Sequence, residues 1–274
     1  MTTAWPSEVL RELLARPAIL EQPAVCDPLT ARLARDAGYE AVALGRDAIG
    51  AHLPLSCDMS LDDIEHAARA AIRACQLPLL LDADIGLVGT GQIAALVARL
   101  EAVGVAAIQL SSQHLPDQVP FSRVTERRSA QAELLRRVEA ARTARDHALI
   151  MARCDVTPDD GYRDALDRAR NLLSVGADAI LVHAAGDELR RFPHDLPAAT
   201  LIYTGLPAPG RGPSVFPAEL LEQWGYSALS NKYHRCYCSR RPCPVPEADV
   251  ATCRVRPAAR RPAPPARPDR ERIP

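Results

Sequence analysis

A (β/α)8 TIM barrel is the fold the sequence predicts, and three features predict it. Short apolar runs alternate with longer amphipathic stretches up to about residue 230, which is the pattern of repeated βα units. There are eight such runs, the number that closes a barrel. No GxGxxG turn follows the first run, so the rival architecture, an open doubly wound sheet, lacks its phosphate-binding signature. A chain of 274 residues, 47% of them hydrophobic, suits one barrel of about 250 residues with a sizeable core.

Taken in order, the first strand is expected at Ala24–Cys26, ahead of a helix stopped by Gly38. Ala41–Leu44 forms the second, followed by a loop and a helical pattern over Ser60–Cys75. Leu77–Leu81 is the third, and its helix, Gly91–Val103, is stopped by Gly104. Ala106–Leu110 precedes the helix Ser129–Arg145, and Ala148–Ala152 precedes Tyr162–Val175, stopped by Gly176. Asp178–Val182, Thr200–Tyr203 and Tyr226–Leu229 complete the set. Glycine stops a helix because the closing residue adopts left-handed backbone at no Cβ cost.

After Asn231 the character changes. Residues 232–274 hold nine of the 24 prolines and eleven Lys or Arg against four Asp or Glu, with no apolar periodicity to make a packed element. We expect a barrel domain over 1–231 and an irregular Pro/Arg-rich tail over 232–274, either disordered or translated out of frame. The net charge of −1 thus leaves about −8 on the barrel, which offers no basic face for nucleic acid. No apolar run reaches the roughly 20 residues that span a bilayer, and the start lacks a basic stretch followed by an apolar one. A cytoplasmic protein with no membrane partner is expected. Of eight cysteines, Cys26, Cys57, Cys75 and Cys154 lie far apart, as reduced thiols do. Cys236, Cys238, Cys243 and Cys253 crowd the tail without the paired Cys-x2-Cys spacing of a zinc ribbon. Lys232 is the only lysine, which weighs against Schiff-base chemistry and towards a metal as electrophile.

In such a barrel, polar residues at the strand ends share one mouth. Asp82 and Asp84 leave the third strand and offer hard oxygens to Mg²⁺; a loop cap and a solvated acid are the alternative. Arg153 follows the fifth apolar run, where a guanidinium clamps a carboxylate unless it serves only a structural pair with Asp155. His183 ends the sixth run and His114 lies beyond the fourth, each a catalyst or a structural histidine. Asp58, ahead of the Ser60 helix, reads by itself as a turn residue.

Several segments together resemble the isocitrate lyase and phosphoenolpyruvate mutase superfamily, in its 2-methylisocitrate lyase-like branch. They are "LRELLARPAILEQPAVCDPLTARLARDAGYEAVALG", "LPLLLDADIG", "LEAVGVAAIQL", "ALIMARCDV" and "RARNLLSVGADAILV". The usual family forms are close to "PGAYDALSARLAEQAGFDAV", "DADTGYG", "IEDQ", "IARTDA" and "GADAIFPE", in the same order. The resemblance implies Mg²⁺, with Mn²⁺ as a substitute, a small carboxylate substrate, and a homo-oligomer, dimer or tetramer, if the final helix is intact. It matches Asp82 and Asp84 to the two acids of the DxD motif and Asp58 to the acid of the loop after the second strand, all around the metal, with Asp58 also catalytic. Arg153 matches the arginine on the substrate carboxylate. Gly45 matches the glycine whose N–H holds an oxyanion, with Arg46 beside it, and Asn231 matches the start of "ANHALR".

The departures matter as much. The Glu of "IEDQ" is Ser111, the serine before Gly45 is Leu44, and the Glu of "FPE" is His183. Where the family carries a lid, this chain reads "HLPDQVPFSRV", without the lyase cysteine, so its acid/base role passes to His114, Asp117 or a water. The function implied is an Mg²⁺-dependent lyase acting on a carbon–carbon bond of a small 2-oxo or 2-hydroxy acid through an enolate-like intermediate. Phosphonate mutase or hydrolase chemistry and a catalytically inactive member are the alternatives.

Overall fold

Eight parallel strands close into a barrel in the computed structural model: β1 (Leu20–Val25), β2 (Val42–Leu44), β3 (Leu79–Asp82), β4 (Ala107–Leu110), β5 (Leu149–Asp155), β6 (Ala179–His183), β7 (Leu201–Thr204) and β8 (Ala228–Asn231). The structure describes residues 4–50, 52–53, 59–83, 90–111, 124–156, 161–184, 187–204 and 216–231, with no side-chain description at 47, 124–130 and 231. All of them belong to one of the chain's two units, Met1–Pro242. Among them no helix is long and apolar enough to cross a membrane.

Alternation along each strand divides the core in two. Leu20, Ala43, Leu80, Ala107, Leu149, Met151, Ala179, Leu181, Ile202 and Ala228 fill the lumen. Their strand neighbours, such as Leu44, Leu79, Leu81, Ile108, Ile150, Val182 and Tyr203, pack outwards in the larger cluster under the helices, as a two-residue period requires. Helix α1 (Pro6–Leu14) comes first, and Leu10, Leu13 and Leu14 join the lumen cluster. Their i, i+3, i+4 spacing gives one apolar stripe, which covers the N-terminal end of the barrel.

The remaining α-helices among the described residues are α2 (Pro28–Asp36), α3 (Arg46–Gly50), α4 (Leu61–Cys75), α5 (Ile93–Ala102), α6 (Val124–Ala144), α7 (Gly161–Ser174), α8 (Asp187–Asp195) and α9 (Ala218–Trp224). Ser60 caps α4, and the Asp63 carboxylate accepts from the Ser60 N–H at 2.8 Å, a reciprocal cap. Gly38, Gly104 and Gly176 take φ values of 90°, 90° and 102°, the left-handed stops expected of them.

β1 and β5 extend furthest beyond their apolar runs. β1 begins at Leu20, because pairing Leu20 with Ala228 and Gln22 with Ser230 closes the barrel. Glu21 and Gln22 had broken that run. β5 continues to Asp155, pairing Arg153 with Leu181 and Asp155 with His183. Its charged residues face the lumen while Cys154 packs outwards.

Candidate active site at the barrel mouth

Stepping by two from the apolar lumen residues towards the C-terminal strand ends, the same face carries Gln22, Asp82, Gln109, Ser111, Arg153, Asp155, His183, Thr204 and Ser230. The lumen is therefore apolar towards α1 and polar at its mouth. Asp82 is the last residue of β3, half-buried, and lies beside Gln109 of β4. Arg153 stands on β5 with β4 between, two residues beyond Met151, which the register sets level with Asp82 through Gln109; the backbones are thus roughly 10 Å apart across the sheet and about 7 Å along it.

Arg153 is 9% exposed, and its Nε donates to Asp155 Oδ1 at 2.7 Å. That bond fixes the guanidinium plane. The Asp155 backbone carbonyl accepts from Arg168 Nη2 at 2.6 Å, and the Val156 N–H donates to the His183 carbonyl at 2.7 Å. The end of β5 is thus tied to α7 and β6. Burial holds the His183 imidazole below its usual pKa, with Asp155 pulling it up and Arg153 pushing it down. His183 is therefore neutral at neutral pH.

Gly45 follows β2, and its carbonyl accepts from Ala48 N at 3.1 Å and Ile49 N at 3.3 Å, starting α3. A Cβ built there meets no described atom within 4 Å, so none of the described residues forces glycine at this position by packing. Arg46 is exposed at the first turn of α3. Asp58, Asp84, His114, Asp117 and the side chain of Asn231 lie outside the described residues.

The described cysteines form no disulfide. Burial raises the thiol pKa of Cys75, and that of Cys154 to about 11. Cys154 Sγ also donates to the Ala165 carbonyl at 3.2 Å. Neither supplies a reactive thiolate.

Gln22 and Gln109 are the lumen residues that strand-end reading missed, because both sit inside strands. Gln22 is 1% and Gln109 0% exposed. The signal was present, since Gln109 lies two residues before Ser111 and Gln22 two after Leu20.

A family model described as phosphoenolpyruvate phosphomutase matches residues 10–216, which takes in β1 to β7. The Corynebacterium glutamicum protein named probable 2-methylisocitrate lyase 1 is 33% identical over 233 residues, spanning 81% of this chain and 74% of that protein. Among solved structures, 2,3-dimethylmalate lyase, a PEP mutase/isocitrate lyase superfamily member, gives a TM-score of 0.72 at 23% identity, covering 85% of this chain and 81% of that one. Phosphonopyruvate hydrolase in complex with oxalate and Mg²⁺ gives 0.68 at 22% identity, covering 84% and 81%. At these identities the two structures speak for the fold alone. The chain belongs to the phosphoenolpyruvate phosphomutase family, within the PEP mutase/isocitrate lyase superfamily of lyases and mutases.

Proposed function

We propose that this protein is an Mg²⁺-dependent lyase that breaks or forms a carbon–carbon bond in a small 2-oxo or 2-hydroxy carboxylic acid through an enolate-like intermediate. The observation that carries the reading is the shared lumen face of Asp82 and Arg153, a hard anionic oxygen and a buried guanidinium with one strand between them at the mouth. Asp82 and the neighbouring Gln109 present oxygen donors without sulfur or imidazole, a set that fits Mg²⁺ or Mn²⁺. Asp82 would hold the ion with Asp84 and Asp58. When bound, the ion supplies a Lewis acid that balances negative charge developing on a substrate oxygen.

The chain's own residues do the rest. Arg153, held in plane by Asp155, clamps the substrate carboxylate. The N–H after β2, at Gly45, faces the oxyanion, and Arg46, His183 and Asn231 line the substrate. Neutral His183 donates or accepts a hydrogen bond without adding charge. In the cleavage direction a substrate hydroxyl loses its proton, its oxygen becomes a carbonyl, and the electron pair of the broken bond becomes the enolate, which a proton then quenches. His114 and Asp58 are the groups we assign to these proton transfers, because burial removes Cys75 and Cys154 from that role.

The test is release of a 2-oxo acid from 2-methylisocitrate or 2,3-dimethylmalate in the presence of Mg²⁺. Arg153→Lys is expected to lower kcat/KM on the order of 100-fold, because a point charge replaces a planar fork. No turnover by the wild-type protein, or an unchanged Arg153→Lys variant, contradicts the reading. The matched family model and the missing lid thiol support phosphonate chemistry as a second reading. Phosphorus NMR on phosphoenolpyruvate and phosphonopyruvate tests it, and an unchanged spectrum rejects it.

A further inference from the structure

Cys26, Asp27 and His52 bring a thiol sulfur, a carboxylate oxygen and an imidazole nitrogen within 4.8 Å of one another, as no other three such residues do among those described. We propose that they form a second metal site, for a borderline divalent cation of the Zn²⁺ or Co²⁺ type, separate from the hard-oxygen region at Asp82.

The site is built from two directions. Cys26 directly follows β1 and Asp27 caps α2. Thr30 locks both: its N–H and hydroxyl donate to Asp27 Oδ1 at 2.7 and 2.9 Å, and its oxygen accepts from the Cys26 and Asp27 N–H groups at 3.0 and 3.1 Å. A carboxylate has about four lone-pair sites, so the bonds it accepts from the Thr30 N–H, the Thr30 hydroxyl and the Leu29 N–H leave room for a metal. His52 arrives from the turn after α3, where its N–H donates to the Ile49 carbonyl at 3.0 Å. Pairing of Val25 with Leu44 sets the ends of β1 and β2 side by side. The exposed His52 ring closes onto the other two ligands by side-chain rotation.

Ligand chemistry names the ion. Thiolate and imidazole select Zn²⁺-like ions, whereas Mg²⁺ prefers oxygen alone. Two anionic ligands and a neutral imidazole balance a divalent charge, and they offset the positive end of α2 that would otherwise repel it. Burial would raise the Asp27 pKa, yet bonds from Thr30 and the nearby His52 hold it below the usual range, so this ligand is ionised at neutral pH. Three protein ligands leave a fourth position to water, the arrangement of an open site rather than a closed structural one. A metal here would clamp the start of the β2–α3 segment, including Gly45, against the end of β1.

Titration of the full-length reduced protein with Co²⁺, followed by electronic absorption, tests the proposal without an activity assay. One equivalent is expected to give a thiolate-to-Co²⁺ charge-transfer band that Zn²⁺ bleaches and excess Mg²⁺ does not. Cys26→Ser should remove that band and one equivalent of binding, and His52→Ala should weaken binding at least about 10-fold, while Asp82→Ala leaves the charge-transfer band unchanged. Unaltered circular dichroism of Cys26→Ser shows that the variant folds. Absence of the band in the wild-type protein overturns the proposal. An identical band and stoichiometry in Cys26→Ser also overturns it, and places the thiolate at Cys57 or among Cys236, Cys238, Cys243 and Cys253.

Discussion

His183 ends β6 half-buried between Arg153 and Asp155, and its protonation links the mouth to stability. Because its folded pKa lies below the usual histidine value of about 6.5, the unfolded chain takes up a proton that the native state refuses. Stability is therefore full above about pH 6.5 and falls as pH drops through the folded value. His183→Asn should flatten the decline in urea midpoint as pH falls below about 6.5; an equally steep decline in the variant argues against a buried neutral imidazole. At this scale the sequence was informative where an apolar run ends in a polar residue, as at Asp82, Arg153 and His183. It was silent at Gln22 and Gln109, because a polar residue inside a strand interrupts the run instead of ending it. It was also silent on the Cys26–Asp27–His52 grouping, since 25 positions separate His52 from Asp27 and only the β1–β2 pairing joins them.

Elements are held in place by a few buried polar contacts. Glu101, 8% exposed near the end of α5, accepts from the N–H groups of Asp146, His147 and Ala148, at 3.1, 2.8 and 2.6 Å for Oε1. Burial would raise its pKa, but these three donors hold it below the usual range. The carboxylate thus fixes the turn that launches β5 and so the height of Arg153. Glu101→Ala leaves three N–H groups without this acceptor and should cost on the order of 2–3 kcal/mol in urea unfolding. A loss under about 0.5 kcal/mol, the scale of an ordinary surface substitution, contradicts that role. The helical pattern over Gly91–Val103 does not single out Glu101.

Gly176 behaves differently, because its role as a stop was legible. Its φ of 102° and the Arg142 side chain at the position of a new Cβ both oppose a larger residue. Gly176→Ala should destabilise by roughly 1–3 kcal/mol, and an unchanged melting temperature counts against the strained turn. Strand limits were less legible than helix stops: β5 gains three residues through pairing with β6, a long-range partner that local hydrophobicity does not report.

Across the molecule, one two-residue period explains both halves of the account. It packs Leu80, Met151 and Ile202 in the lumen, and carried one step further it sets Asp82, Arg153 and Thr204 at the mouth. The eightfold repeat made the barrel legible because each βα unit is written in local apolar runs and glycine stops. The substrate is not written that way, since the stretch after Ser111, "HLPDQVPFSRV" included, is where the sequence departs from the family forms. Everything at the mouth turns on a hard-metal site anchored on Asp82, which isothermal titration of the full-length protein with Mg²⁺ measures. About one ion per chain is expected for the wild-type protein, with binding lost in Asp82→Ala and kept in Cys26→Ser. No binding to the wild-type protein, or equal binding to Asp82→Ala, would contradict it.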